Sequence, residues 1–253
     1  MSPIVVSSIV FTLVFGSTLL GMFLRSILPE HHLSADSKDV IKLATALIAT
    51  LAALVLGLLV ASTHSSYDQT SSQIGRITAD VIVLDRLLDE YGPDALPLRQ
   101  MVRQSIAPMA DSIWHGNAGN AQPFRASAQG ETAYFKLQEL VPGNAVQRAL
   151  QARAVQISTD LAQTRLLLFA QPSDAMSTPF LIVLVLWLLL IFTSFSIFAR
   201  PNATIVAVLL VCVLSTSSAI FLILEMGSPL GGIMQISSAP LRNALGPLPP
   251  PQR

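Results

Sequence analysis

Four stretches of this chain, Met1 to Leu24, Leu43 to Thr63, Phe180 to Ala199 and Pro201 to Leu224, run for about twenty residues or more without a charged side chain. That is the length a helix needs to cross the ~30 Å hydrocarbon core of a bilayer. In hydrocarbon a segment must satisfy its own backbone N–H and C=O groups, so a spanning segment is a helix or a strand of a closed barrel, and barrel strands alternate apolar with polar residues. These runs do not alternate. They predict four transmembrane helices and, with strand signals nearly absent elsewhere, an all-α chain. The first run lacks the basic start and small-x-small cleavage site of a signal peptide and is long enough to span, so it is expected to remain a membrane helix.

Composition follows from those runs: 52% of residues are hydrophobic and 12% charged, against roughly a quarter charged in globular proteins. The charges balance, 15 against 15, which argues against nucleic acid as a partner, because a polyanion binder carries a basic surplus. The one cysteine, Cys212, lies in the fourth run, which excludes an intrachain disulfide and a cysteine-based metal site built from one chain.

Four spans place residues 64–179 and the tail 226–253 on one side of the membrane and the connection 25–42 on the other. Basic residues near the span ends, Arg25, Lys38, Lys42 and Arg200 against Arg76, Arg165 and Arg242, leave the orientation open. Within 64–179, Ile74, Ile77, Val81, Leu84, Leu88 and Tyr91 recur at steps of three and four, the seam of a helix packed on a partner. No breaker separates this seam from the second span, so one helix is expected to run from the membrane into water and end at "YGPD". A shorter helix through Leu98 to Ile113 is expected to be kinked or divided by Pro108. A loop follows over "WHGNAGNAQPFRASAQG". The rhythm returns at Leu150, Ala154, Ile157, Leu161, Thr164 and Leu168, on a helix from about 144 to 169 whose neighbour must be the helix before Gly92. "QPSDAMSTP" interrupts the return to the membrane. In the tail, a short surface helix near 233–245 and a disordered proline-rich end are expected.

The polar connection "RSILPEHHLSADSKDVIKL" raises several chemistries. Adjacent His31 and His32 cannot share a helix face and lack the spacing of a metal pair, so a metal would need Glu30, Asp36 or another subunit; solvated imidazoles, with pH sensing as a variant, are the plainer account. Ser34, Asp36 or Ser37 suit the cap of the second span, and Asp36 and Asp39 suit the positive end of its dipole. Arg25 and Lys42 either anchor the helices at the membrane edge or ring the mouth of a pore that attracts anions.

Within the spans, Thr45 and Thr50 of the second helix and Ser215 and Ser218 of the fourth are candidates for lining a water or ion path, with helix packing as the alternative. Glu225, closing the fourth span, is an ionisable residue at membrane depth and so a functional candidate, or a headgroup-level residue. No phosphate loop, nucleophile elbow, histidine pair or Cys-His arrangement is present, so no catalytic residue, metal site or cofactor is expected and the chain is not read as an enzyme.

The stretches "LRSILPEHHLSADSKDVIKLATALIATLAALVLGLLVAS", "DLAQTRLLLF" and "ISSAPLRNAL" resemble the bacterial bestrophin-like domain family, four-span membrane proteins without an established activity. The likeness covers nearly the whole chain. It is carried by Arg25, Leu28, Pro29, His32, Leu33, Ser34, Ser37 and Lys42, then by Ala53, Gly57 and Ala61 and, in the tail, by Ser237, Ser238 and Pro240. Bestrophins themselves are pentameric anion channels with the same order of parts. This second span departs from them in having no aromatic constriction, and no acidic calcium clasp follows the fourth span. The resemblance implies a bacterial inner-membrane location, residues 64–179 in the cytoplasm, and a homo-oligomer. The expected function is an oligomeric pathway for an inorganic anion along the second helices; the alternative is a non-conducting scaffold or signal transducer acting through the cytosolic helices.

Overall fold

The computed structural model describes residues 2–27, 35–115, 128–170, 178–199 and 202–245. Among these residues every regular element is helical. Four helices are long and apolar enough to cross a membrane. The chain divides into two compact units, residues 1–67 with 173–234 and residues 68–172 with 235–253.

The first unit holds α1 (Pro3–Ile27), the opening part of α2 (Ala35–Tyr91), α6 (Thr178–Phe198) and α7 (Ala203–Met226). α1 packs on both α6 and α7 around Val10, Val14, Phe192, Val213 and Ile220, and α2 joins α6 through Ala52, Leu184 and Ile191. The outward faces are leucine, isoleucine and phenylalanine: Leu43 is 73%, Ile182 62% and Phe23 61% exposed. That much apolar surface is unfavourable in water and suits hydrocarbon. The buried hydroxyls of Thr18 and Ser196 are satisfied within their own helices, Thr18 Oγ1 donating to Val14 O and Ser196 Oγ to Phe192 O, as a dry interior favours. α1 and α6 approach closely at Gly21, where a Cβ would stand 2.7 Å from both Ser196 Cβ and Thr193 O.

The second unit begins with residue 68 of α2, so α2 is one helix of 57 residues, more than twice what a bilayer core needs. Its seam is buried throughout, from Ile74 to Tyr91. Gly92, at φ 109, turns the chain into a 3-10 turn over Pro93–Ala95; positive φ is where glycine is favoured. α3 (Leu96–His115), α4 (Ala128–Glu139) and α5 (Ala145–Ala170) follow. Leu84, Leu88 and Tyr91 share a core with Leu98, Val102, Leu137, Ala154 and Ile157. α5 starts with a reciprocal cap: Gln147 N donates to Asn144 Oδ1 while Gln147 Oε1 accepts from Gly143 N, a form of the capping box. Gln147 Nε2 also reaches Tyr91 O, pinning the end of α2 to the start of α5.

One expectation is corrected and two are narrowed. Of the two outcomes expected for Pro108, a kink or a break, the break does not occur: it lies inside α3 without dividing it, since a proline forfeits one backbone bond while the buried face of α3, from Leu98 to Ile113, holds the helix in the core. α4 begins at Ala128, within the stretch expected as loop, and buries Leu137. The tail's surface helix near 233–245 is shorter than expected: α8 covers Ala239–Arg242 only, with Ala239, Pro240 and Arg242 exposed and Leu241 fully buried. Gly231 and Gly232 lie in a bend where a longer helix would start, and glycine is a poor helix former. The 116–127 and 171–177 segments, Arg200 and the proline-rich end lie outside the described residues.

Gly21→Ala is expected to lower the stability of the membrane unit by about 1–3 kcal/mol through overpacking. Gly16→Ala, where a Cβ would meet nothing within 4 Å, should cost nothing comparable; thermal unfolding of both variants in one bilayer mimic checks the contrast.

Candidate functional site

α2 presents three stripes along its membrane-crossing part. One is buried and includes Thr45, Ala52 and Thr63. A second carries leucine at 43, 47, 51, 54 and 58, each from 42% to 73% exposed. The third carries Ala46, Thr50, Ala53, Gly57 and Ala61, all exposed, and a Cβ on Gly57 would meet nothing within 4 Å. Steps of three and four residues keep each set on its own face of a helix of 3.6 residues per turn.

The residues singled out in the sequence do not converge. Thr45 and Thr50 fall on different faces, the first buried and the second exposed with its hydroxyl donating to Leu47 O at 2.7 Å. Lys42 is exposed and pairs with Asp39 one turn earlier, Nζ to Oδ1 3.4 Å. Arg25 Nη1 donates to Ile197 O at 3.2 Å. It therefore occupies a carbonyl in the last turn of α6, where a cation also complements the helix dipole. Ser215 and Ser218 lie on the exposed face of α7, and Ser218 Oγ donates to Leu214 O.

Glu225 is 1% exposed and built into the turn beyond α7. Its Oε1 accepts hydrogen bonds from the backbone N–H of Ile233 and of Met234, the latter at 2.9 Å. Gly232, at φ 82, passes directly against this carboxylate, and a Cβ there would overlap Glu225 Oε1. The geometry makes Glu225 the clasp of the 227–234 turn. His31 and His32 and the caps expected from Ser34, Asp36 and Ser37 lie outside the described residues and side chains. Among the described residues no three His, Cys, Asp or Glu side chains gather where they would hold a metal.

A dense electrostatic site among the described residues was not anticipated. Asp85 on α2 is gripped by two arginines of α3: Arg99 Nε and Nη2 reach its two oxygens at 3.0 Å each, and Arg103 Nε and Nη2 at 2.6 and 2.7 Å. Arg99 Nη1 also binds Asp89. Asp85 and Arg99 are 5% and 6% exposed. Burial alone would raise the Asp85 carboxyl, but the hydrogen bonds from Arg103 and Arg99 outweigh it and hold its pKa below the usual value; the bond to Asp85 in turn raises that of Arg99. The signal was present in the spacing, Asp85 with Asp89 and Arg99 with Arg103, each pair one turn apart on either side of Gly92. Asp80 shows the opposite balance: burial and then the Asp160 carboxylate push its pKa up, against Arg153 and Arg76.

The tail segment is held in the same unit. Trp114 Nε1 donates to Ile236 O at 2.7 Å and Arg242 Nη2 to Asp111 Oδ1 at 2.5 Å. Ser237 Oγ accepts from Ala239 N, and Ser238 Oγ from Arg242 Nε. A family model described as Bestrophin-like domain matches residues 12–241, so the match ends on the buried Leu241. No curated protein and no solved structure matches the chain.

Asp85→Asn is expected to cost about 3–5 kcal/mol near neutral pH, because it leaves two arginines facing a lost charge. A depressed folded pKa means that the stability Asp85 contributes is present above its unfolded value of ~3.9 and is lost as pH falls through the folded one. The gap between wild type and variant should therefore close in acid. Asp80→Asn should do the reverse, raising the melting temperature near pH 7 and giving no gain below about pH 4, since a raised carboxyl favours the fold only while protonated. Melting curves at several pH values check both signs.

Proposed function

The chain belongs to the bestrophin-like domain family, and from that premise we propose that it assembles as a homo-oligomer whose second helices surround a pathway for inorganic anions. The observation that carries this reading is the division of α2 into three faces. Leucine at 43, 47, 51, 54 and 58 suits lipid, whereas the exposed Ala46, Thr50, Ala53, Gly57 and Ala61 form the kind of face that lets helix backbones come together in a membrane. Surrounding an axis, that face gives a narrow path with one hydroxyl, Thr50, per copy. Lys42 at the start of α2 supplies positive charge at one mouth, and rings of lysine favour anions; Asp39 at 3.4 Å offsets part of it, so the preference is modest. Arg25, committed to Ile197 O, serves as an anchor. The reading takes the location as a bacterial inner membrane with residues 64–179 in the cytoplasm, and gives the chain no catalytic role.

One observation favours a second reading, a non-conducting transducer: α2 is one uninterrupted helix from Ala35 to Tyr91, a continuous element along which a change in its membrane part would be passed on. Flux separates the two. Proteoliposomes of verified oligomer should pass chloride faster than potassium, Gly57→Phe should cut that flux, and Lys42→Glu should lower the chloride preference. No flux of either ion, together with one stoichiometric partner recovered by cross-linking, would establish the transducer instead.

A further inference from the structure

The helices of the second unit leave a cavity of about 490 Å³ between them, within the ~300–1,000 Å³ of small-molecule sites. Each of α2, α3, α4 and α5 contributes to its wall. Most of that wall is apolar: Leu88 and Leu98 supply aliphatic surface, and Met109 and Tyr134 supply a thioether and a ring, both of which favour an aromatic neighbour. Three hydroxyls interrupt it, Ser105 on α3 and Ser158 and Thr159 on α5. Ser105 Oγ donates to Val102 O at 2.7 Å and Thr159 Oγ1 to Val155 O at 3.0 Å. Their protons are committed, so these two oxygens have only acceptance to offer a ligand, while Ser158 has both.

Two residues of opposite charge also line the space, Glu131 and Arg165. Glu131 is exposed and sits in the first turn of α4, where water and the helix dipole already accommodate its carboxylate. Arg165 already has an interaction partner. A charged ligand of either sign would meet one favourable and one unfavourable neighbour, and would give up water against a wall that is otherwise apolar. A neutral ligand escapes both penalties. It gains most from the three hydroxyls if it brings a hydrogen-bond donor, because acceptors outnumber free protons among them.

We propose that this cavity binds a neutral phenol carrying an alkyl substituent, its ring against Met109 and Tyr134, its alkyl group towards Leu88 and Leu98, and its hydroxyl on the oxygens of Ser105, Ser158 and Thr159. The apolar wall provides the affinity. The hydroxyls provide the selectivity for the phenol over its methyl ether, which has an oxygen but no proton to give. A phenol gives up its proton only near pH ~10, so it enters the site uncharged at neutral pH. The site is independent of whether α2 lines a conducting path.

The test is equilibrium dialysis of the full chain in nanodiscs of zwitterionic phospholipid, with uptake by empty nanodiscs subtracted. The probes are para-butylphenol, its methyl ether para-butylanisole, and the charged analogues para-butylbenzoate and para-butylbenzylammonium. Saturable uptake of the phenol in proportion to protein is expected, preferred over the ether by roughly fivefold, the effect of one neutral hydrogen bond, and over both charged analogues. Ser105→Ala, Ser158→Ala and Thr159→Val combined should bring phenol and ether to parity while leaving ether uptake in place. Ala162→Trp, a change at an exposed position of the wall, should reduce uptake of both. Phenol uptake no greater than that of empty nanodiscs, which is also the result if disc lipid fills the space, would overturn the proposal. So would stronger uptake of either charged analogue than of the phenol, a phenol preference untouched by the combined variant, or uptake untouched by Ala162→Trp.

Discussion

In hydrocarbon a face of leucines needs no protein partner, whereas a face of alanine, glycine and threonine gains most by meeting another backbone at close range. α2 carries both faces in addition to the one it packs on α6, and the organisation of the membrane unit follows from that. α1, α6 and α7 account for one another, through Val14, Phe192 and Val213 and through the close approach at Gly21. Among the described residues, the membrane part of α2 shares a core with α6 through Ala52, Leu184 and Ile191. A spanning helix covered on one side and small-faced on another leaves that second face open to the close approach of a further helix.

The second unit depends on a different balance. Its seam residues bury a conventional apolar core, but Asp85 and two arginines sit at its edge, where burial opposes charge and hydrogen bonds to both carboxylate oxygens overcome it. Such a site stabilises little relative to an apolar replacement, but it is severe on any register that separates α2 from α3. Together with the turn at Gly92 and the Gln147 bond to Tyr91 O, it fixes which turn of α2 meets which turn of its neighbours.

Spans, seams and the α2–α5 pairing were legible because each is a periodic signal of fifteen residues or more in the sequence, and burial rewards periodicity directly. What was not legible was short or long-range. α4 is 12 residues beside a glycine- and asparagine-rich stretch, so its apolar positions made no recognisable period. The tail read as a surface helix from its mixture of apolar and polar residues; only the tertiary contacts of this segment with Trp114 and Asp111 account for its one buried residue, Leu241. Glu225 was marked for function by its place at the end of a span, and its bonds to Ile233 and Met234 give it a structural task that no local pattern announces. The acid and arginine pairs around Gly92 were visible as spacing, but their meaning required knowing that α2 and α3 pack antiparallel across that turn.

The most direct test of the small-faced second helix is a cysteine scan of residues 43–61 in a Cys212→Ser background, with a short bis-thiol cross-linker applied to protein in a native-like bilayer. Meeting of copies along that face predicts intermolecular cross-links at 46, 50, 53, 57 and 61 and few at 43, 47, 51, 54 and 58. Cross-links confined to the leucine positions, or none at any position while the protein remains folded, would contradict it.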